Sequence, residues 1–173
     1  MIKHLIIICF VITILPQCSN NLNNEKTKYI SKSKKYCLFF DRSFWHQDRR
    51  QKQTDDSWDA SFYSSDNAIV GNCKESRLSY GKANLDSLTQ SVYASIGDIK
   101  SFKGYPDIIN GLKVRSFDMN VEDKINGILY RYIGFIYSSK EGSFQFAVGT
   151  QKNIFDEDYE SIIKLLKGFS KNQ

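Results

Sequence analysis

The sequence predicts an α+β domain in which an antiparallel β-sheet is packed by two amphipathic helices. Apolar and polar residues alternate in several short segments separated by turn residues, which predicts strands. Two other segments repeat their apolar residues at spacings of three and four, which predicts helices. The chain has 173 residues, of which 41% are hydrophobic and 14% aromatic, so it can bury one core.

The first half of the predicted domain contains a strand, a loop, a hairpin and a helix. Residues 36–40 form an aromatic-rich run that predicts the first strand, and the polar residues 41–57 predict a loop. Residues 58–73 alternate on either side of a turn cluster and predict a hairpin. Residues 81–99 carry an apolar stripe that predicts an amphipathic helix.

The second half predicts three strands and a closing helix. Residues 104–106 break the chain, after which 112–119, 128–137 and 143–149 predict an antiparallel meander. The acidic residues 156–158 stand where the dipole of a helix favours negative charge. The helix that follows presents one apolar stripe, formed by Tyr159, Ile162, Ile163, Leu166 and Phe169. We expect this stripe to dock on the meander, because a short helix is marginal alone.

The N-terminus predicts export. Residues 1–17 combine a basic start with an apolar run too short to span a bilayer, as in a signal peptide. Leu15 and Cys18 match the outer positions of a bacterial lipoprotein signal, which this segment resembles, whereas Pro16 and Gln17 depart from it. We expect acyl chains such as palmitate on Cys18 and an envelope location facing the periplasm or the cell exterior. Simple secretion and a retained N-terminal anchor are the alternatives.

Composition predicts where the folded domain begins, and the cysteines predict a covalent link within it. Residues 18–35 are rich in Asn, Ser and Lys and predict a flexible tether, so that a single domain spans 36–173. Cys37 and Cys73 are an even pair in a chain bound for an oxidising compartment, and we expect a disulfide between them. Two separate buried thiols are the alternative.

Part of the sequence has a family resemblance. The long aromatic strand 128–137, the strand 143–149 and a closing helix that ends in Leu165-Leu166-Lys167-Gly168-Phe169-Ser170 resemble the C-terminal half of PsbP-like domains, over residues 112–171. The resemblance implies an antiparallel sheet with helices packed on it. It implies no activity, since members act mostly as accessory or binding proteins, and a fold alone does not supply a function.

The sequence carries no recognised catalytic motif, and we expect neither a cofactor nor a metal. His46 lies in a predicted loop, and no spacing in the sequence supports a nucleophile as its partner. We therefore expect a surface or packing role for His46 rather than catalysis. The acidic cluster 55–59 lacks the alternation of an EF-hand, so a solvated turn is favoured over calcium. Arg131 stands in an apolar strand, where a charge must be paired or reach the rim. It is either an edge-facing arginine with its stem buried or an anchor for an anionic ligand or a partner's carboxylate.

These observations favour a non-enzymatic, lipid-anchored envelope protein that acts by binding. Trp45, His46 and Arg131 are the candidate binding residues. The expected partners are the membrane, through the acyl anchor, and a protein of the envelope. A net charge of +5 could favour binding to nucleic acid, but an exported chain is not exposed to chromosomal DNA and the sequence has no nucleic-acid-binding motif. A solvated basic face is favoured over contact with anionic lipid for two basic groups, namely Lys32, Lys34 and Lys35 near the tether and Arg49, Arg50 and Lys52 further on. An immunity or inhibitor protein that neutralises a secreted toxin or hydrolase is the alternative function, and an enzyme of unknown type is a third.

Overall fold

The alternating segments of the sequence become two antiparallel sheets in a computed structural model that describes residues 26–48, 58–81 and 84–172. The elements run in chain order: β1 (Lys26–Ile30), β2 (Tyr36–Asp41), β3 (Trp45–Asp48), β4 (Ala60–Ser64), β5 (Val70–Ser76), α1 (Leu85–Ala94), β6 (Gly97–Ile109), β7 (Leu112–Asp123), β8 (Leu129–Ser139), β9 (Gly142–Gln151), α2 (Lys152–Glu157), α3 (Tyr159–Leu166) and β10 (Phe169–Lys171). Within these parts of the chain, no helix is both long and apolar enough to cross a membrane.

The larger sheet has seven strands in the order β3-β4-β5-β9-β8-β7-β6, and the smaller has three in the order β1-β2-β10. Every strand pair is antiparallel. The α+β class, the hairpin of β4 with β5 and the meander of β7, β8 and β9 are therefore confirmed.

The main core lies between the two sheets. Side chains alternate across a strand, so β2 directs Tyr36, Leu38 and Phe40 inward, and each is buried. Phe135 of β8 pairs with Phe146 of β9 on the facing surface of the larger sheet. The helices α2 and α3 close this core at one side with further buried residues, namely Phe155, Ile162, Leu165 and Leu166.

The opposite face of the larger sheet carries a smaller core beneath α1. Its buried residues are Tyr93, Phe117, Met119, Val121 and Ala147. Phe117 stands opposite Gly134 in the pairing of β7 with β8. A Cβ on Gly134 would come within 2.7 Å of the Phe117 ring and 2.4 Å of the Phe146 carbonyl oxygen. Glycine at this position lets the aromatic ring lie flat on the sheet.

The helices differ from those the periodicity predicts, since the described chain has three. The expected closing helix is divided at Asp158 into α2 and α3, an arrangement in which Phe155 and Ile162 each reach the core. Phe169 is buried but belongs to β10, not to the helix. Tyr159 of the predicted stripe is 41% exposed. The stripe docks between the two sheets, where α3 contacts β2 of the smaller sheet as well as β9 of the larger one.

Three strands occupy segments that the sequence predicts to be irregular. β1 lies inside the expected tether because Tyr29 enters the core, with its ring 5.6 Å from that of Phe62. β3 lies inside the expected loop and buries Trp45. β6 passes straight through Pro106, which an edge strand tolerates because its outer side needs no N–H donor.

The expected disulfide is wrong. Cys37 and Cys73 are both buried free thiols. Cys73 faces the main core from the larger sheet, whereas Cys37 alternates with the core residues of β2 and points out of the smaller sheet, where its thiol lies 3.8 Å from the Lys171 carbonyl oxygen. The two sulfur atoms therefore project from their strands in directions that do not meet. The predicted signal peptide and the predicted lipidation site Cys18 lie outside the described residues.

Candidate functional site

A groove opens where the end of β2 and the start of β3 face α3. We call it the α3 groove, and its volume is about 240 Å³. Its lining residues are Phe39, Phe40, Asp41, Phe44, Trp45, Ser161, Lys164, Leu165, Lys167 and Gly168. Aromatic and aliphatic side chains form most of this lining, while the charged residues bring polar groups to it.

A tight turn between β2 and β3 shapes one wall of the groove. The Asp41 carboxylate accepts hydrogen bonds from the backbone N–H of Ser43 at 2.9 Å and from its hydroxyl at 2.6 Å. The turn places Phe44 partly exposed above the buried Trp45, with the two ring centroids 5.1 Å apart and an interplanar angle of 64°. This edge-to-face arrangement fixes both rings, so the wall is formed before any ligand arrives.

Gly168 brings the end of α3 against β2 at the other wall. The backbone N–H of Phe39 donates to the Gly168 carbonyl at 3.0 Å. A Cβ on residue 168 would lie 2.0 Å from the Phe39 carbonyl oxygen, so only glycine permits this approach. The close contact keeps Leu165 and Lys164 beside the aromatic residues of β2.

The groove carries one carboxylate with internal partners and two exposed lysines. Lys164 and Lys167 are exposed, and Lys164 reaches Asp41 at 3.5 Å. Hydrogen bonds from Ser43, followed by the neighbouring Lys164, hold the pKa of Asp41 below its ordinary value. The Asp41 carboxylate therefore accepts its hydrogen bonds from groups of the protein itself. Lys167, in contrast, has no ion-pair partner among the described residues. The groove can take an apolar group that carries a negative charge beside it.

The three binding residues predicted from the sequence lie in three different places. Trp45 is 2% exposed and forms part of the groove wall. His46, the next residue, points to the opposite face of the larger sheet and stacks on Tyr63 at 5.8 Å. Arg131 lies on the core face of β8, away from both.

Arg131 is held by groups of the protein itself. Its guanidinium donates two hydrogen bonds to Asp118, at 3.1 and 2.7 Å, and one to Asp156 at 3.1 Å. It also lies 4.5 Å from the ring centroid of Phe155, a cation–π distance. The hydrogen bonds with Asp118 raise the pKa of Arg131. Arg131 therefore does not lie at a sheet edge, because β8 is an interior strand, and its hydrogen bonds tie α2 to the larger sheet.

A second, wider cleft of about 540 Å³ separates the β1–β2 turn from the ends of β4 and β5. Two of its carboxylates have partners within the cleft: Lys32 pairs with Asp59 at 2.9 Å, and Ser33 donates hydrogen bonds to Glu75. Asp59 belongs to the acidic cluster of the sequence, whose other carboxylates lie outside the described residues. In the parts of the chain that the structure describes, no three His, Cys, Asp or Glu side chains form a group that could hold a metal.

Sequence reasoning missed most of the groove. Phe39 was visible as part of an aromatic strand, but Lys164, Leu165 and Lys167 belong to a helix more than a hundred positions later. The signal available was Gly168, a glycine between an apolar helix and a final aromatic residue, which is typical of a close backbone approach. Nothing in the local pattern indicates which strand it approaches.

No family model matches the sequence, and a search of curated proteins returns no match. Solved structures do match the fold. The PsbP protein of the cyanobacterium Synechocystis is 8% identical with a TM-score of 0.59, over 91% of this chain and 98% of that one. LpqN of Mycobacterium tuberculosis, described as involved in cell envelope biogenesis, is 9% identical with a TM-score of 0.53, over 86% and 91%.

A third similar structure comes from Bacteroides thetaiotaomicron and is 14% identical with a TM-score of 0.52. The match covers 86% of this chain and 49% of that one, so this chain spans about half its length. At such identities the similarity shows the fold alone. The resemblance to PsbP-like domains is confirmed at that level, and it extends over most of the chain rather than over residues 112–171 only.

Proposed function

We propose that this protein is a non-enzymatic, lipid-anchored envelope protein that binds a protein partner through the α3 groove. The observation that carries the proposal is the groove itself, with rigid aromatic walls and exposed lysines. The partner would insert one bulky apolar side chain and place a carboxylate near Lys164 and Lys167. The similarity of the fold to an envelope protein and the signal-like N-terminus support the location.

The size of the groove favours a protein over a small molecule. Sites that enclose a drug-sized ligand have volumes of roughly 300–1,000 Å³. The α3 groove, at about 240 Å³, is smaller and suits one or two side chains. Protein interfaces concentrate their binding energy in such buried anchors, and a complementary surface is all that binding requires.

Capture from envelope extract with the acylated full-length protein tests the site. Ser161→Trp should fill the groove and reduce recovery of the partner about tenfold, since a buried anchor contributes about 1.4 kcal/mol or more. Ser91→Trp is the matched control, because Ser91 is an exposed serine of α1 on the other face of the larger sheet. Equal recovery with both variants would exclude the groove as the binding site.

The location is tested separately by fractionating cells that express Cys18→Ala. Loss of the acylated cysteine should move the protein from the membrane to the soluble fraction, because the acyl chains would supply most of the membrane affinity. Unchanged membrane association, together with an unmodified Cys18 in the mass spectrum of the wild-type protein, would refute the anchor. The groove test remains valid in that case.

A further inference from the structure

The outer face of the smaller sheet, which points away from the main core, combines apolar side chains with a lysine. Tyr29 and Leu38 point to the core, so their neighbours Lys28, Ile30, Cys37 and Phe39 point away from it. Lys28 stands directly opposite Phe39, and Ile30 opposite Cys37. We call these four residues the outer face of β1 and β2.

Two large apolar side chains of this face remain in contact with solvent. Ile30 is 46% exposed and Phe39 is 38% exposed. They are diagonal neighbours across the strand pair, since Phe39 follows Cys37 by two positions. The ammonium group of Lys28 lies 5.6 Å from the Phe39 ring centroid. Aromatic, aliphatic and lysine groups therefore share one side of a short hairpin.

Positive charge dominates around this face. The hairpin turn adds exposed lysines, namely Lys32, Lys34 and Lys35. Lys28 and Lys34 have no ion-pair partner among the residues that the structure describes, whereas Lys32 pairs with Asp59. The carboxylate at the far end of β2 belongs to Asp41, which is already occupied by Ser43 and Lys164. The four residues of the face thus include a cation and no carboxylate, and the adjoining turn adds Lys34, which is unpaired within the described chain.

The position of the chain terminus indicates the occupant. β1 starts at Lys26, which is eight residues after Cys18, the cysteine that the proposed function requires to be acylated. Eight residues span at most about 28 Å. An acylated Cys18 would therefore keep β1, the edge strand of the smaller sheet, within that reach of the bilayer.

We infer that the outer face of β1 and β2 docks on an anionic phospholipid surface. Ile30 and Phe39 enter the interfacial region, while Lys28 and Lys34 extend toward lipid phosphates, as long basic side chains do. The acyl anchor makes this second contact intramolecular, so a small apolar area is sufficient. Phe39 also lines the α3 groove, so docking would open the groove at the level of the membrane surface. This inference rests on the proposed anchoring.

Lysine acetylation footprinting of the acylated full-length protein in nanodiscs tests the inference. One nanodisc contains phosphatidylcholine alone, and the other contains about one third phosphatidylglycerol, which gives the negative surface that attracts basic groups. Lys28 and Lys34 should react about threefold more slowly in the anionic nanodisc, and added salt should reverse the protection. Lys103, an exposed lysine of the edge strand β6, should react equally in both.

The double variant Ile30→Ser and Phe39→Ser should abolish the protection without unfolding the protein, because both side chains are exposed. Ile125→Ser is its matched control, since Ile125 is 95% exposed in the turn after β7. Equal reactivity of Lys28 in the two nanodiscs, with acylation of Cys18 verified by mass spectrometry, would overturn the inference and leave the anchor intact. Protection that appears only with envelope proteins would also overturn it, because the occupant would then be a protein.

Discussion

The two faces of the seven-stranded sheet are covered in different ways. A second sheet and two helices cover the inner face, and aromatic rings fill the space between them. The opposite face, which we call the α1 face, is covered at β6 and β7 by α1 in the described part of the chain. The cluster beneath this helix has few buried residues. The inner face therefore holds most of the burial that stabilises the fold, and the α3 groove is built on this better-supported side.

Phe169→Ala should have the largest effect on stability, because Phe169 lies in the core of the inner face. Its ring is fully buried, 5.0 Å from that of Phe144 and 4.8 Å from that of Phe135. Phe169→Ala should lower the free energy of unfolding by about 3–5 kcal/mol, through lost burial and the cavity left behind. Urea unfolding measures this loss. Phe169→Leu should recover a large part of it, and a near-wild-type midpoint for the alanine variant would contradict the assigned core.

The corresponding variant for the α1 face is at Tyr93. It is 3% exposed beneath α1, with its ring 4.7 Å from that of Tyr132. Tyr93→Ala should cost about 2–3 kcal/mol, less than Phe169→Ala because fewer groups surround it. Hydrogen exchange should quicken in α1 before it quickens in β9. Equal acceleration in both elements would mean that the two faces unfold as one unit.

Cys73 makes the inner face sensitive to alkali. Burial raises the pKa of its thiol from 9.0 to about 12. Between these values the unfolded thiol has lost its proton while the folded one keeps it, so stability falls as the pH rises through this window. The loss should be about 1 kcal/mol at about pH 10. Cys73→Ala should flatten the decline in unfolding experiments between pH 8 and 11 (about 2–3 kcal/mol in total), and an unchanged slope would contradict the buried thiol.

Asp86 should have the smallest effect, because its pair with Arg115 is partly solvated. The Arg115 guanidinium donates two hydrogen bonds to Asp86, at 2.8 and 2.5 Å, and holds the pKa of that carboxyl below its ordinary value. The two side chains are 34% and 29% exposed. Asp86→Asn should cost at most about 1 kcal/mol. A double-mutant cycle with Arg115→Met measures the coupling, and a value several times larger would mean that α1 is attached mainly by charge.

The sequence predicted the strands whose patterns are local. The hairpin of β4 with β5 and the meander of β7, β8 and β9 each have alternating residues and short connections. The smaller sheet was not predicted, because β10 has three residues and its partner Leu38 lies at the other end of the chain. In the sequence, Pro106 predicts a break, and the edge position that tolerates this proline is a tertiary property.

The same distinction applies to the candidate site. Trp45 is one of the candidate binding residues predicted from the sequence, and it does line the groove. Arg131 was singled out as a charge in an apolar strand, but its two carboxylate partners come from β7 and α2. A sequence pattern shows which side chains need a partner, and only the packing decides whether that partner is internal.

The three-stranded sheet unites the two ends of the described chain, since β2 lies between β1 and β10. Pairing of Leu38 with Phe169 joins residues that are 131 positions apart in the sequence. Contacts so distant in sequence form late and slowly. We therefore expect the hairpin and the meander to form first and the smaller sheet to close over them last. Until that step the aromatic residues of the inner face would remain in contact with water, so the smaller sheet completes the protection of the core.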